Sequence, residues 1–371
     1  MTPLRTRRYE PEDAAAIEQL NQRLGAADVP HRVYPERRST DSSEGPVRSR
    51  LFVACDDEGV HGGVWLQEHE FWVAGKPISA GWVKYPVSES LVDRRYGGVP
   101  GGLILRLLKE QPLLMALGMG GWDTPLARLL ARIGWKGWAV PFYFSLVRPG
   151  RALRELAGGE RTPVRRAAVW VAGASGAGWV GSRAITLWRT ARRRRGTSGY
   201  TAHVVDRFGE WVDAIWAGAR AECSFAAVRD GGTLPVMFQR PRSLIRLRVQ
   251  HGGADVGWAC VTVEDLHDDP HPRFGRQVVG LLADGLALPG HTAGVAHAAI
   301  RHLAAAGVDL IISNQQHAAW RRALHDLGFL RGPSNFICFA SPRAAPLVAP
   351  GGDGGDGVHL NRGDCDGPAW R

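Results

Sequence analysis

The chain has 371 residues, 44% hydrophobic and 22% charged, enough for two domains with apolar cores and too apolar for a disordered polymer. Its net charge of +10 belongs to one segment: residues 148–196 hold 12 Arg and 2 Glu, and the remainder balances at 34 basic against 34 acidic residues. Neither domain is therefore basic as a whole. The five cysteines are scattered without a C-x-x-C pair, which argues against a disulfide framework and a structural zinc site. No apolar h-region follows Met1, so no signal peptide is expected and the protein reads as cytoplasmic.

A first unit spans residues 1–150. Ile17, Leu20 and Leu24 recur at helical spacing over Ala14–Leu24, with Asp13 as a candidate N-cap. Leu51–Cys55, Val64–Val73 and Ile78–Leu91 read as strands, the last broken by Pro86. A glycine-rich turn, Arg94 to Gly102, leads into a helix over Leu103–Glu110, and Leu113–Leu117 reads as a buried strand. Thr124–Ile133 is a helix with Thr124 as N-cap, Pro125 in the first turn and Gly134 at its C-terminal end. Trp138–Val147 closes the unit as an apolar strand.

Residues 151–199 form a basic linker. Its uncharged stretch Ala167–Ser182 is too short and too rich in Gly and Ala for a membrane span. Arg192–Arg195, with Trp170, Trp179 and Trp188 upstream, reads first as a solvated connector and second as a peripheral contact for an anionic membrane surface.

A second unit spans residues 200–342. Ser243–Gln250, Ala254–Val263 and Gln277–Leu288 are strands, and Pro289–Gly294 opens a helix running to about Ala306. Val308–Ser313 is a strand, Ala318–Leu327 a helix and Asn335–Ala340 a closing strand. Residues 343–371, rich in Gly, Pro and Asp, are expected to be disordered. The two units end alike: a strand, a helix, a Gly-aromatic pair and an apolar strand. Gly134-Trp135 and Gly328-Phe329 stand 194 residues apart, so the repeat is a duplicated domain and not a solenoid.

The ordered set of strand, Gly-rich turn, helix, strand, Gly-aromatic helix end and strand resembles the GNAT acyltransferase superfamily. The opening Arg8-Tyr9-Glu10-Pro11-Glu12-Asp13 is similar to the first strand and helix of that family. The tandem arrangement is similar to double-GNAT and FemAB-like proteins. The resemblance implies an α/β (α+β) chain of two GNAT-like domains, each a mixed, mostly antiparallel sheet flanked by helices, with strands four and five splayed to admit a cofactor. It implies acetyl-CoA as co-substrate and direct transfer of an acyl group to an amine acceptor, a small molecule, without a covalent enzyme intermediate. Two other readings stay open: a FemAB-like aminoacyl transferase using charged tRNA, and a non-catalytic scaffold. The first would make the linker an RNA contact, although nucleic acid is not the expected partner.

The candidate cofactor-binding residues are Arg95, Tyr96, Gly97, Gly98, Val99, Gly101 and Gly102, where backbone N–H groups at a helix start suit a pyrophosphate. Pro100 replaces the family's middle glycine, and Gly97 stands where an arginine is common. Leu130 and Leu324 stand where a tyrosine is often found, which removes that residue as the acid. Glu89, at the end of the strand before the turn, is the candidate base, with Tyr85 as a second catalytic candidate. His267, Asp268, Asp269 and His271 are dense in metal-ligating types, but Pro270 and Pro272 make an irregular loop there, and no metal is expected.

Overall fold

A computed structural model describes residues 4–35, 45–158, 197–239, 243–352 and 355–364. Trp170, Trp179, Trp188 and Arg192–Arg195 lie outside the described residues, and so does the stretch 167–182. Among the described residues no helix is long and apolar enough to cross a membrane.

In chain order the elements are β1 (Arg5–Arg8), α1 (Ala14–Ala26), β2 (Val47–Asp56), β3 (Gly59–Val73), β4 (Lys76–Ser88), α2 (Val99–Glu110), β5 (Leu114–Leu117), α3 (Pro125–Arg132) and β6 (Lys136–Ala139). Then follow β7 (Phe142–Leu146), α4 (Pro149–Gly158), β8 (Tyr200–Val205), α5 (Trp211–Ala219), β9 (Phe225–Ala227) and α6 (Thr233–Met237). The chain continues with β10 (Ile245–His251), β11 (Ala254–Asp265), β12 (Val278–Ala287), α7 (Thr292–Ala305), β13 (Leu310–Asn314) and α8 (Ala318–Asp326). It ends with β14 (Leu330–Gly332), β15 (Ile337–Ala340), α9 (Ala345–Val348) and β16 (Val358–His359).

The chain divides into two compact units. The first comprises residues 1–139, 224–228 and 335–355. Its sheet runs β1-β2-β3-β4-β5-β15-β6, with β9 paired to β3. All these pairings are antiparallel except β4 with β5. Successive side chains on a strand point to opposite faces, and the packing follows that period. Leu51 and Val53 join Ile17, Leu20 and Leu24 of α1. Phe52 and Ala54 join Leu103, Ile104 and Leu107 of α2, with Leu130 of α3 and Phe339 of β15. The apolar stripes on α1 and α2, at spacings of three and four, are what bind each helix to its face.

The second unit comprises residues 140–223, 229–334 and 356–371. Its sheet runs β14-β7-β13-β12-β11-β10-β8, parallel between β12 and β13 and antiparallel elsewhere. Ile311 of β13 packs with α7 and α8 through Ile300, Leu303, Trp320 and Leu324. Its neighbours Leu310 and Ile312 join Phe142, Leu266 and Leu281 on the opposite face. Small residues let α7 lie close: a Cβ on Gly294 would fall 2.1 Å from the Tyr200 ring.

Each sheet is thus mixed and mostly antiparallel, flanked by helices, and built to the same plan. The expected division at 150 and 200 is corrected by the pairing. The strand read as Trp138–Val147 breaks at Pro141, which has no N–H to give a ladder. β6 stays in the first sheet and β7 enters the second, between β13 and β14. In return β15, late in the chain, enters the first sheet between β5 and β6. The expected disorder after residue 343 is corrected as well for the described residues, since Val348, Ala349, Val358, His359, Leu360 and Asn361 are all buried, while 365–371 lie outside them.

Candidate functional site

In the first unit β4 is parallel to β5 at only two positions, Gly81 with Leu114 and Trp82 with Met115. Beyond Trp82, β4 runs on through Val83–Ser88 without pairing to β5. The register with β3 also slips there: Lys84 faces Trp65 and Val87 faces Gly63. Tyr85 and Pro86 form the bulge, with Tyr85 at φ +46°. A bulge bends its strand and re-aims its backbone groups. Proline after Tyr85 removes one ladder donor at the same place. The splay foreseen between the fourth and fifth strands is therefore present, and Tyr85, 38% exposed, lies on its strand.

The chain leaves β4 through two short 3-10 turns, Glu89–Leu91 and Arg94–Tyr96, and enters α2 at Val99. Asp93 caps the second turn by accepting from the Arg95 N–H, and its carboxylate also holds the Arg95 side chain at 2.7 Å. Gly98 is the N-cap of α2 and Pro100 lies in the first turn, where a missing N–H costs nothing. Gly98 and Gly101 have no atom within 4 Å of where a Cβ would stand, and Gly102 faces Thr6 at 3.3 Å. At Gly98, with φ −78°, neither backbone strain nor crowding in the fold demands glycine. The structure thus brings Arg95, Tyr96, Gly97, Gly98, Val99, Gly101 and Gly102 into one strand-to-helix turn.

Behind that turn is a buried polar cluster that sequence reasoning missed. Glu89 is 6% exposed. Its carboxylate accepts from Arg23 Nε at 2.6 Å and Nη2 at 2.9 Å, and meets His61 Nδ1 at 2.7 Å. The other His61 nitrogen meets Asp56 at 2.8 Å. The His61 ring stacks on Tyr96 with centroids 3.8 Å apart and planes 14° from parallel, and the Tyr96 hydroxyl donates to Glu58 at 3.2 Å. Burial alone would raise the Glu89 carboxyl, but hydrogen bonds from Arg23 and His61 outweigh it and hold the group below the usual carboxylate range. Burial, then Glu58, pushes the Tyr96 phenol up. Glu89 is therefore engaged on both oxygens, while Tyr85, the other catalytic candidate, stands on the bulge itself. Arg23 and His61 lie 66 and 28 residues from Glu89 in sequence, so no local motif could have flagged the cluster.

The second unit carries the corresponding parts. β12 pairs with β13 from Val279–Leu310 to Leu282–Ser313 and then runs on to Ala287, before the turn at Gly290 and α7. His267, Asp268, Asp269 and His271 stand in the loop between β11 and β12. Among the described residues no three His, Cys, Asp or Glu side chains converge as metal ligands would.

No family model matches the chain, and no curated protein does. Solved structures match through their shape. A GCN5-related N-acetyltransferase from Anabaena variabilis aligns with a TM-score of 0.55 at 10% identity, over 91% of this chain and 72% of that one. A conserved Enterococcus faecalis protein described as a probable N-acyltransferase gives 0.53 at 10% identity, over 94% and 74%. The Saccharomyces cerevisiae N-myristoyltransferase with bound myristoyl-CoA gives 0.50 at 10% identity, over 92% and 79%. By its two splayed sheets and this likeness, the chain has the fold of the GCN5-related N-acetyltransferases, carried in tandem.

Proposed function

We propose that the chain is an acyl-CoA-dependent N-acyltransferase whose cofactor site is the first unit's splay and turn, with acetyl-CoA the simplest donor and a small-molecule amine the acceptor. The observation that carries this reading is the conjunction of an open β4 edge beyond Trp82 with a helix-opening turn whose Gly98 and Gly101 leave their Cβ positions empty. A polyphosphate set against bare backbone uses such space, and the N–H groups and positive end of α2 favour its charge. The likeness to acyltransferase structures supports the same reading.

In the proposed reaction the amine nitrogen attacks the thioester carbonyl carbon while both substrates are bound. The C–S bond breaks, CoA leaves as the thiol, and the amine's proton balances the thiolate. The protein's contribution is to align the two and to offer β4 backbone donors to the developing oxyanion. Glu89 serves as the anchor of the turn: bound by Arg23 and His61, it fixes the segment from which Tyr96 and Gly98 follow. Tyr85 at the bulge is the side chain proposed to return a proton.

Isothermal titration with acetyl-CoA tests the site. Gly98→Asp adds a carboxylate where the fold has room for it, so the melting temperature should stay near wild type while affinity falls at least tenfold, about 1.4 kcal/mol. No binding by wild type, or equal binding by the variant, would overturn the reading.

A further inference from the structure

The second unit repeats the splayed strands, but the space between them is filled by the chain itself. Residues 358–361 are each at most 1% exposed. On the β12 side, His359 Nε2 donates to the Gly285 carbonyl at 3.0 Å and Asn361 Nδ2 donates to Asp284 at 2.6 Å. On the β13 side, Arg362 Nε donates to Asn314 at 2.8 Å, the Gln316 N–H donates to the Leu360 carbonyl at 3.0 Å, and Gln315 pairs with Asn361. The segment therefore engages both strands where they have parted.

Its seat is built for it. Arg229, fully buried, reaches Asp284 at 3.1 Å and Asp364 at 2.8 Å. Asp364 also accepts from the Asn361 N–H at 2.8 Å, and a Cβ on Gly363 would fall 2.5 Å from the Asp284 carboxylate, so only glycine fits there. The cavity left nearby, about 540 Å³, lies at the starts of α7 and α8, and its charged lining is Glu222, Asp326 and Asp356 against Arg322. Arg321 pairs with Asp356 at 2.6 Å, and His325 lies 3.3 Å from Asp326. Such a lining has no positive excess to draw in a polyphosphate.

We infer that segment 358–364 is the resident occupant of the second slot, a built-in peptide ligand, so that each chain takes up one acyl-CoA and takes it in the first unit. This rests on the function proposed above. Calorimetric titration with acetyl-CoA, with melting curves as a check on folding, tests both. The expected stoichiometry is one per chain, lost in Gly98→Asp and kept, with Kd within about threefold of wild type, in Thr292→Glu at the start of α7. Two molecules per chain would overturn the inference and leave the proposed function standing. One site lost in Thr292→Glu and kept in Gly98→Asp would overturn it by placing the site in the second unit. No binding at all, or one site indifferent to both substitutions, would overturn the proposed function and the inference with it.

Discussion

Glu89, the candidate base, is held within a buried cluster by Arg23 and His61. Its folded pKa lies below the usual value because Arg23 and His61 outweigh burial. A depressed pKa gives stability that is complete above the ordinary carboxylate range and is lost as pH falls through the folded value. Glu89→Gln should therefore cost about 2–3 kcal/mol at neutral pH. In urea titrations that difference should shrink below about pH 4.3, the ordinary glutamate value. A difference independent of pH would contradict this. Asp364 has the opposite sign. Burial raises it to about 6 against the pull of Arg229, with Asp284 adding to the rise. Two carboxylates facing one guanidinium take up a proton readily. Its contribution is present below the ordinary aspartate range and is lost as pH rises through about 6. Relative to Asp364→Asn, wild type should gain on the order of 2 kcal/mol from pH 7 to pH 4. A flat difference would show that burial does not raise the Asp364 carboxyl.

The Gly-aromatic helix ends are the elements most legible in the sequence. Gly134 and Gly328 take φ +85° and +82°. The N–H groups of Trp135 and Phe329 donate to the carbonyls of Leu130 and Leu324 at 3.0 Å each, the same cap in both units. Gly134→Ala should cost about 1 kcal/mol, since a Cβ there meets nothing and only the left-handed backbone is penalised. A loss well above that in thermal unfolding would mean that more than the backbone conformation holds this helix end. Helices over Ala14–Leu24 and Ala318–Leu327 are legible because apolar spacing agrees with their packing. Pro86 signals the β4 bulge, although not its register. Two features are illegible. Nothing in Ile337–Ala340 says which sheet it joins, because an apolar strand fits any apolar neighbour. The burial of residues 358–364 depends on Arg229 and Asp284, far away in sequence, while their own composition reads as solvated.

Across the whole chain, the exchange of β7 and β15 makes each unit depend on residues from the other half of the sequence. A fragment of residues 1–150 lacks β15 and leaves β5 and β6 without the strand that joins them. It should unfold without a cooperative transition, and a fragment that melts sharply would contradict the pairing. Hydrogen–deuterium exchange with and without acetyl-CoA tests whether acyl-CoA binds at the splay of β4 from β5, as proposed. Added protection is expected in peptides covering residues 83–102 and none in those covering 283–293. Protection confined to 283–293, or absent from both, would contradict the proposal.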